Sequence, residues 1–220
     1  MYDKLRSMNN HQSPYSASFT AGSLLFKETS CLLPLLLSEH PKSLIEEEIK
    51  NNHLLKINSE KARKRTVLEI IKRISFVKSD LWLFYAERNV CEQKLLLFYV
   101  CLKAYKLMFD FHFNVTIKRW NSSSRQIDSY HYRMELDEIA AKDKAVDSWS
   151  NDTKNKLISV YLTILKDIGM LDKKSNMLSQ VDAAKDFWHF FEINYEDWFL
   201  DACLLSGRQK QSITNTIKKI

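Results

Sequence analysis

Between residues 60 and 78 the apolar positions Val67, Ile70, Ile71, Ile74 and Val77 recur every three or four residues. That spacing predicts a helix with one buried stripe. Asn58 or Ser59 is placed to cap its N-terminus. Upstream, Gly22 or Ser23 can open a helix whose apolar positions include Leu24, Leu25, Cys31, Leu32 and Leu35. Pro41 disfavours helix at His40, so a second helix is expected from about 42 to 51. Ser79 and Asp80 introduce a short aromatic helix, LWLFYA. Asn89 and Glu92 have capping-box spacing and open a central helix from about 91 to 113, apolar on nearly every side.

The polar run 121–129, NSSSRQIDS, reads as a linker, followed by a charged helix to about Asp147. Ser150 or Asp152 caps a further helix that ends at Gly169, a residue suited to the left-handed position after a helix. Phe187, Phe190, Phe191, Tyr195, Trp198 and Phe199 form a stripe in the last helices and are read as core. No internal repeat is present. The expected organisation is a flexible segment 1–15, an N-terminal helical lobe 16–120, the linker 121–129, a C-terminal lobe 130–205 and a basic tail 206–220.

Composition sharpens this picture in two respects. Gly and Pro number only three each, too few for the tight turns of sheet proteins or the Gly-rich loops of doubly wound folds. The predicted class is therefore all-α, a compact multi-helix bundle. Cys31, Cys91, Cys101 and Cys203 are far apart in sequence and form no CxxC pair, which suits packed thiols in a reducing compartment. The N-terminus lacks the apolar core of a secretory signal, and the run Leu95–Leu102 is far short of the roughly 20 residues a membrane-spanning helix needs. A soluble, cytoplasmic protein is expected.

Charge changes the picture more. The net charge is +6, but residues 50–78 hold nine basic residues against two acids, a local +7. Arg208, Lys210, Lys218 and Lys219 add four more in the tail with no acid, which leaves −5 for the remainder. At about 100° per residue, Lys61, Arg65 and Lys72 project within roughly 40° of one another, away from the apolar stripe. Lys64 and Arg73 flank that ridge, and Arg63 falls nearer the buried side. A merely solvated face usually mixes Glu with Lys at i,i+4, and this one hardly does. The pattern points to phosphates of a nucleic acid, contacted by Lys61, Lys64, Arg65, Lys72 and Arg73, with Lys78, Arg208 and Lys210 in support.

Enzyme signatures are missing: no Gly-rich phosphate loop, no HExxH, no GxSxG and no clustered Cys and His. Glu92-Gln93-Lys94 has the ExK form found in restriction-type nucleases, but it falls in a helical first turn rather than on a strand. His112 and His189 lie in aromatic stretches and are read as core or boundary residues. No metal, cofactor or small-molecule ligand is expected. The segment KNKLISVYLTILKDIGMLDKK, a helix ending in Gly and a basic hairpin-like stretch, has the ending of a winged helix and would offer Lys154, Lys156, Lys173 and Lys174 as a second DNA surface.

Four blocks carry a family likeness in order: YSASFTAGSLLFKET, NNHLLKINSEKARKRTVLEIIKRI, LLLFYVCLKAYKLMFDFHFNVTI and WSNDTKNKLISVYLTILKDIGML. Together they resemble BrxA-type proteins, the small A components of BREX bacteriophage-exclusion systems, from about Tyr15 to Leu205. The resemblance implies an all-helical shape related to the NusB antitermination factor. It also implies non-enzymatic binding of double-stranded DNA in a defence locus, beside other BREX components that include a methyltransferase and an ATPase. Two rivals remain: an RNA-binding protein of NusB-like shape, and an interaction subunit whose basic helix docks an acidic partner. No set of Asn, Gln and Arg stands at recognition-helix spacing, so weak sequence preference is expected.

Overall fold

The structure, a computed structural model, describes residues 13–217. The first twelve residues of the segment expected to be flexible, and Lys218 and Lys219 of the tail, lie outside it. The secondary structure is helical, as the scarcity of Gly and Pro requires. A 3-10 turn at Ser18–Ala21 precedes α1 (Phe26–Leu36), α2 (Pro41–Asn51), α3 (Glu60–Ile74) and α4 (Asp80–Ala86). The central α5 (Val90–Ala104) and α6 (Lys106–Asp110) pass through a π-helical turn (Phe111–Thr116) into α7 (Ile117–Trp120). Then come α8 (Ser129–Ala140), α9 (Lys144–Asp147), α10 (Asn151–Asp167), α11 (Lys185–Ile193), α12 (Trp198–Ala202) and α13 (Gly207–Ile217).

Several ends are set by the expected side chains. Ser59 Oγ accepts from the Ala62 amide at 3.4 Å, and Ser150 Oγ from the Thr153 amide at 3.2 Å. Gly169, at φ +77°, closes α10: the Met170 amide reaches back to the Leu165 carbonyl at 2.9 Å and the Gly169 amide to that of Lys166 at 3.2 Å. Asn89 caps α5 by accepting from the amides of Cys91 and Glu92. Glu92 does not complete the expected box. Buried, it instead takes the Ala184 amide at 3.0 Å and ties α5 to the start of α11.

The central helix is not one rod. Tyr105 is extended (φ −131°, ψ 106°) and separates α5 from α6, although no Gly or Pro marks the break. Its ring is buried against Phe19, and its hydroxyl accepts from Arg73 Nε at 2.9 Å. Tertiary contacts therefore fix a backbone conformation for which local sequence gives no sign.

One large cluster of buried side chains runs from Phe19 to Ile213 and contains all of Leu95–Leu102. A smaller satellite, Leu25, Leu32, Ile45, Val67 and Ile70, joins α1, α2 and α3. The predicted aromatic stripe is core at Phe187, Phe191 and Phe199, but Tyr195 is 91% exposed and left-handed (φ +58°), at the turn after α11. Of the four cysteines, Cys101 and Cys203 are buried thiols as expected, whereas Cys31 and Cys91 are exposed.

A buried polar chain crosses the main cluster. Fully buried His112 lies 2.7 Å from the Ala202 carbonyl through Nε2 and 2.7 Å from the Tyr161 hydroxyl through Nδ1. A carbonyl only accepts, so Nε2 carries the proton and Nδ1 accepts from Tyr161. Thr116 Oγ1 is 3.1 Å from the Tyr161 hydroxyl and 2.8 Å from that of Tyr132. Burial pushes the His112 pKa down from 6.5 to about 4. The unfolded chain then binds a proton that the folded chain refuses between those two values. Stability from this site is complete above pH 6.5 and is lost as pH falls to about 4, by about 3 kcal/mol in total. Urea denaturation between pH 7.5 and 4 is expected to show this component in the wild type and not in His112→Gln, whose stability should already be lower at pH 7.5.

Candidate nucleic-acid interface

The basic stretch on α3 divides into inward and outward cations. Arg63 is 6% exposed, and its guanidinium donates to four carbonyls: Ile49 (2.8 Å), Lys50 (3.2 Å), Ile57 (2.7 Å) and Asn58 (3.1 Å). Arg73 was expected on the phosphate-binding flank and is instead 4% exposed. It donates to the carbonyls of Gly22 (3.0 Å), Ser23 (2.9 Å) and Leu24 (3.2 Å), to Tyr105 Oη and to Glu69 at 3.3 Å. With every donor nitrogen engaged inside the protein, Arg73 is not available to a phosphate. Sequence spacing missed this because the carbonyls it satisfies lie fifty residues away.

Lys61, Lys64 and Arg65 are exposed on α3, as is Lys78 beyond its end. Lys72 is half-buried: its ammonium donates to Ser18 Oγ at 2.9 Å and sits 4.9 Å from the Tyr105 ring centre. Arg208 is exposed, while Lys210 is half-buried and paired with Asp201 at 2.5 Å. The outward face of α3 is also less polar than its cations suggested. Ile71, placed by spacing in the buried stripe, is 38% exposed, and Leu68 is 56% exposed.

A second basic region is built around α10. Arg125 and Gln126 follow α7, and Gln126 forms an antiparallel bridge with Met177, while Leu171 bridges Leu178. The Ile127 amide donates to the Asn176 carbonyl and the Leu178 amide to the Arg125 carbonyl, both at 2.9 Å. The chain order is thus helix, bridge residue Gln126, α8, α9, α10, bridge residue Leu171, turn and a returning segment, with the returning segment paired to both bridge residues' stretches. The order resembles that of a winged helix, with isolated bridges in place of strands. Asp172 shapes the wing turn by accepting from the Lys174 and Ser175 amides and the Ser175 hydroxyl, and the Ser175 bonds hold its carboxyl below the usual range. Lys173 and Lys174 stand exposed at the tip.

Along α10 the residues Leu157, Ile158, Tyr161, Ile164 and Leu165 face the core, and α8 packs against the helix, with the Tyr132 and Tyr161 ring centres 5.1 Å apart. Asn155, Lys156, Ser159 and Thr163 are left on the exposed side. Lys154, expected with the basic surface, is 8% exposed and does not belong to it. Arg133 of α8 donates to Asn155 Oδ1 at 2.5 Å, and the Arg125 guanidinium stacks 3.8 Å from the Trp120 ring centre beside the wing. Arg125 and Arg133 were missed by sequence reasoning, since only the bridge and the helix pairing bring them to this unit.

At the ExK triplet both charged side chains have partners within the fold. Glu92 is spent on the Ala184 amide, and the Lys94 ammonium sits 5.6 Å from the Phe26 ring centre. No helix among the described residues is long and apolar enough to cross a membrane.

Removing the Arg73 side chain leaves three carbonyls and Glu69 without their donor in a dry site. Arg73→Met is expected to cost about 3–5 kcal/mol in urea denaturation, against a change within about 0.5 kcal/mol for exposed Lys61→Ala.

Comparison with known proteins fits this architecture. A crystal structure of an uncharacterized protein from Magnetospirillum magneticum superposes with a TM-score of 0.73 over 87% of this chain and 98% of that one, at 20% identity. At that identity the likeness is one of fold. No curated protein matches the chain. The BrxA family model matches residues 13–191, most of the described chain. The chain therefore belongs to the BrxA family, components of BREX phage-defence systems.

Proposed function

We propose that this chain is a non-enzymatic, double-stranded-DNA-binding component of its BREX system, contacting the duplex mainly through phosphates. The observation that carries this reading is the winged-helix unit, in which α10 keeps a polar outward face and Lys173 and Lys174 crown the wing. A helix of that kind fits the major groove, and a basic wing tip reaches the adjacent backbone. Lys156 adds a cation on α10, and Arg125 adds one beside the wing.

The outward cations of α3, Lys61 and Arg65, form a second phosphate-binding surface, with Lys64, Lys78 and Arg208 as lesser contributors. Lys72 assists only from its place beside Ser18 and Tyr105, and Lys210 only on release from Asp201. Arg73 has no part in contact. Sequence preference is weak, because α10 presents no exposed Arg or Gln and the Asn155 carbonyl is already taken by Arg133.

Fluorescence anisotropy with a labelled random-sequence duplex tests the proposal. Five phosphate contacts, from Lys61, Arg65, Lys156, Lys173 and Lys174, give an expected slope of about −4 to −5 for log affinity against log salt. Lys173→Ala with Lys174→Ala, and separately Lys61→Ala with Arg65→Ala, should each flatten that slope by about 2 and weaken binding equally across sequences. Absence of binding at low salt overturns the proposal. Efficient competition by duplex or single-stranded RNA replaces DNA with RNA as the ligand.

A further inference from the structure

Beside the basic ridge, α2 and α3 leave an open groove of about 620 Å³. Its floor is apolar: Ile45 and Ile49 from α2, Val67, Leu68 and Ile71 from α3. Ile45 and Val67 belong to the small satellite core, so the groove is the uncovered side of that core rather than a seam between packed layers. Leu68 and Ile71 are the exposed part of the floor, at 56% and 38%. A phosphodiester gains nothing from such a surface, whereas an apolar side chain does.

The walls are fixed. Buried Glu48, at the end of α2, accepts the amides of His53, Leu54 and Leu55 at 2.9–3.0 Å. Arg63, from α3, closes on the carbonyls of Ile49 and Lys50 in α2 and of Ile57 and Asn58 in the same connection. Asn52 Oδ1 also accepts from the Ile57 amide at 2.9 Å. Two buried charges thus hold α2, α3 and their loop as a rigid piece, which removes much of the ordering cost of filling the groove.

Charge supplies the occupant. On the α3 side Lys64 lines the groove, with Lys61 and Arg65 next to it and Glu60 as the acid. Among the described residues none of those three cations is held in an ion pair. The α2 side is mixed, with Lys42 against Glu46. The eleven residues of α2 span about 16 Å, three helical turns.

We propose that this groove docks an amphipathic helix of about three turns from a partner protein. That helix presents apolar residues at i, i+3 or i+4, and i+7 to the floor, and a row of Glu or Asp to α3. The groove borders the α3 phosphate surface and shares its cations: Leu68 and Ile71 hold the apolar side of the helix, and Lys64, with Lys61 and Arg65 beside it, meets the acids.

The test uses the full chain and peptides of about 20 residues tiling the other proteins of its BREX system, with capture read by anisotropy. Wild type is expected to bind peptides with that apolar spacing and an acidic flank. Leu68→Gln with Ile71→Gln should weaken this at least tenfold without altering the melting temperature or DNA affinity. Lys64→Glu should weaken the same peptides and favour versions whose acids are replaced by lysine. Capture that is indifferent to the double variant, or no peptide bound better by wild type than by that variant, overturns the proposal. Self-association abolished by the double variant also overturns it, by making a second copy the occupant. Loss of DNA binding in other experiments leaves these outcomes unaffected.

Discussion

Arg73 is the cation on which the N-terminal half of the structure depends. From a position almost out of water it gathers three successive carbonyls of residues 22–24, the Tyr105 hydroxyl and the Glu69 carboxylate. A buried guanidinium is costly unless all its donors are used, and here the acceptors come from three separate stretches of chain. Satisfying it therefore fixes the entry into α1, the end of α3 and the break between α5 and α6 at once. Arg63 performs the matching task one turn from the other end of α3, where it clasps α2 and the connection between them. A helix that looks like a plain basic surface is fastened into the fold by two of its own arginines.

The second half is held by a different polar device. The π-helical turn at Phe111–Thr116 carries both His112 and Thr116, and both meet the Tyr161 hydroxyl of α10. Tyr132 of α8 joins through Thr116, and the Ala202 carbonyl closes the chain through His112. The two helices of the winged unit are thereby registered against the central helix by hydrogen bonds as well as by packing. Such a network sets orientation more sharply than apolar contact alone, because a misplaced helix leaves buried hydroxyls unpaired. It also leaves the outer side of α10 polar and exposed, with Asn155 tied to Arg133 of α8. The polar face available to a duplex and the core that positions it are opposite sides of the same helix.

Much of this was legible in the chain. The all-helical class followed from the scarcity of Gly and Pro, and the caps at Ser59, Asn89 and Ser150 and the stop at Gly169 followed from local chemistry. The burial of His112 and of the Leu95–Leu102 run was also visible, because apolar surroundings are a short-range property. The turn after α10 was visible in the Gly-Met-Leu stretch. The bridge at Gln126 was not, because that residue sits in a run that reads as a polar linker and pairs with a residue about fifty positions later.

The sequence by itself determined the helix ends that carry their own caps, which stripes are apolar, and that positive charge gathers in residues 50–78. Those are consequences of spacing and of neighbours within a turn or two. Only the tertiary structure decided what each charge does. Lys61 and Arg65 remain in water because nothing folds over them, whereas Arg63 and Arg73 are drawn inward by carbonyls that other segments leave unpaired. Glu92 was claimed by the Ala184 amide at the start of α11 rather than by its own helix cap, and Ile71 stayed partly exposed on the open groove between α2 and α3. Periodicity gives a side chain's direction from its helix axis. Whether an acceptor, a packed layer or solvent waits there depends on contacts between residues distant in sequence.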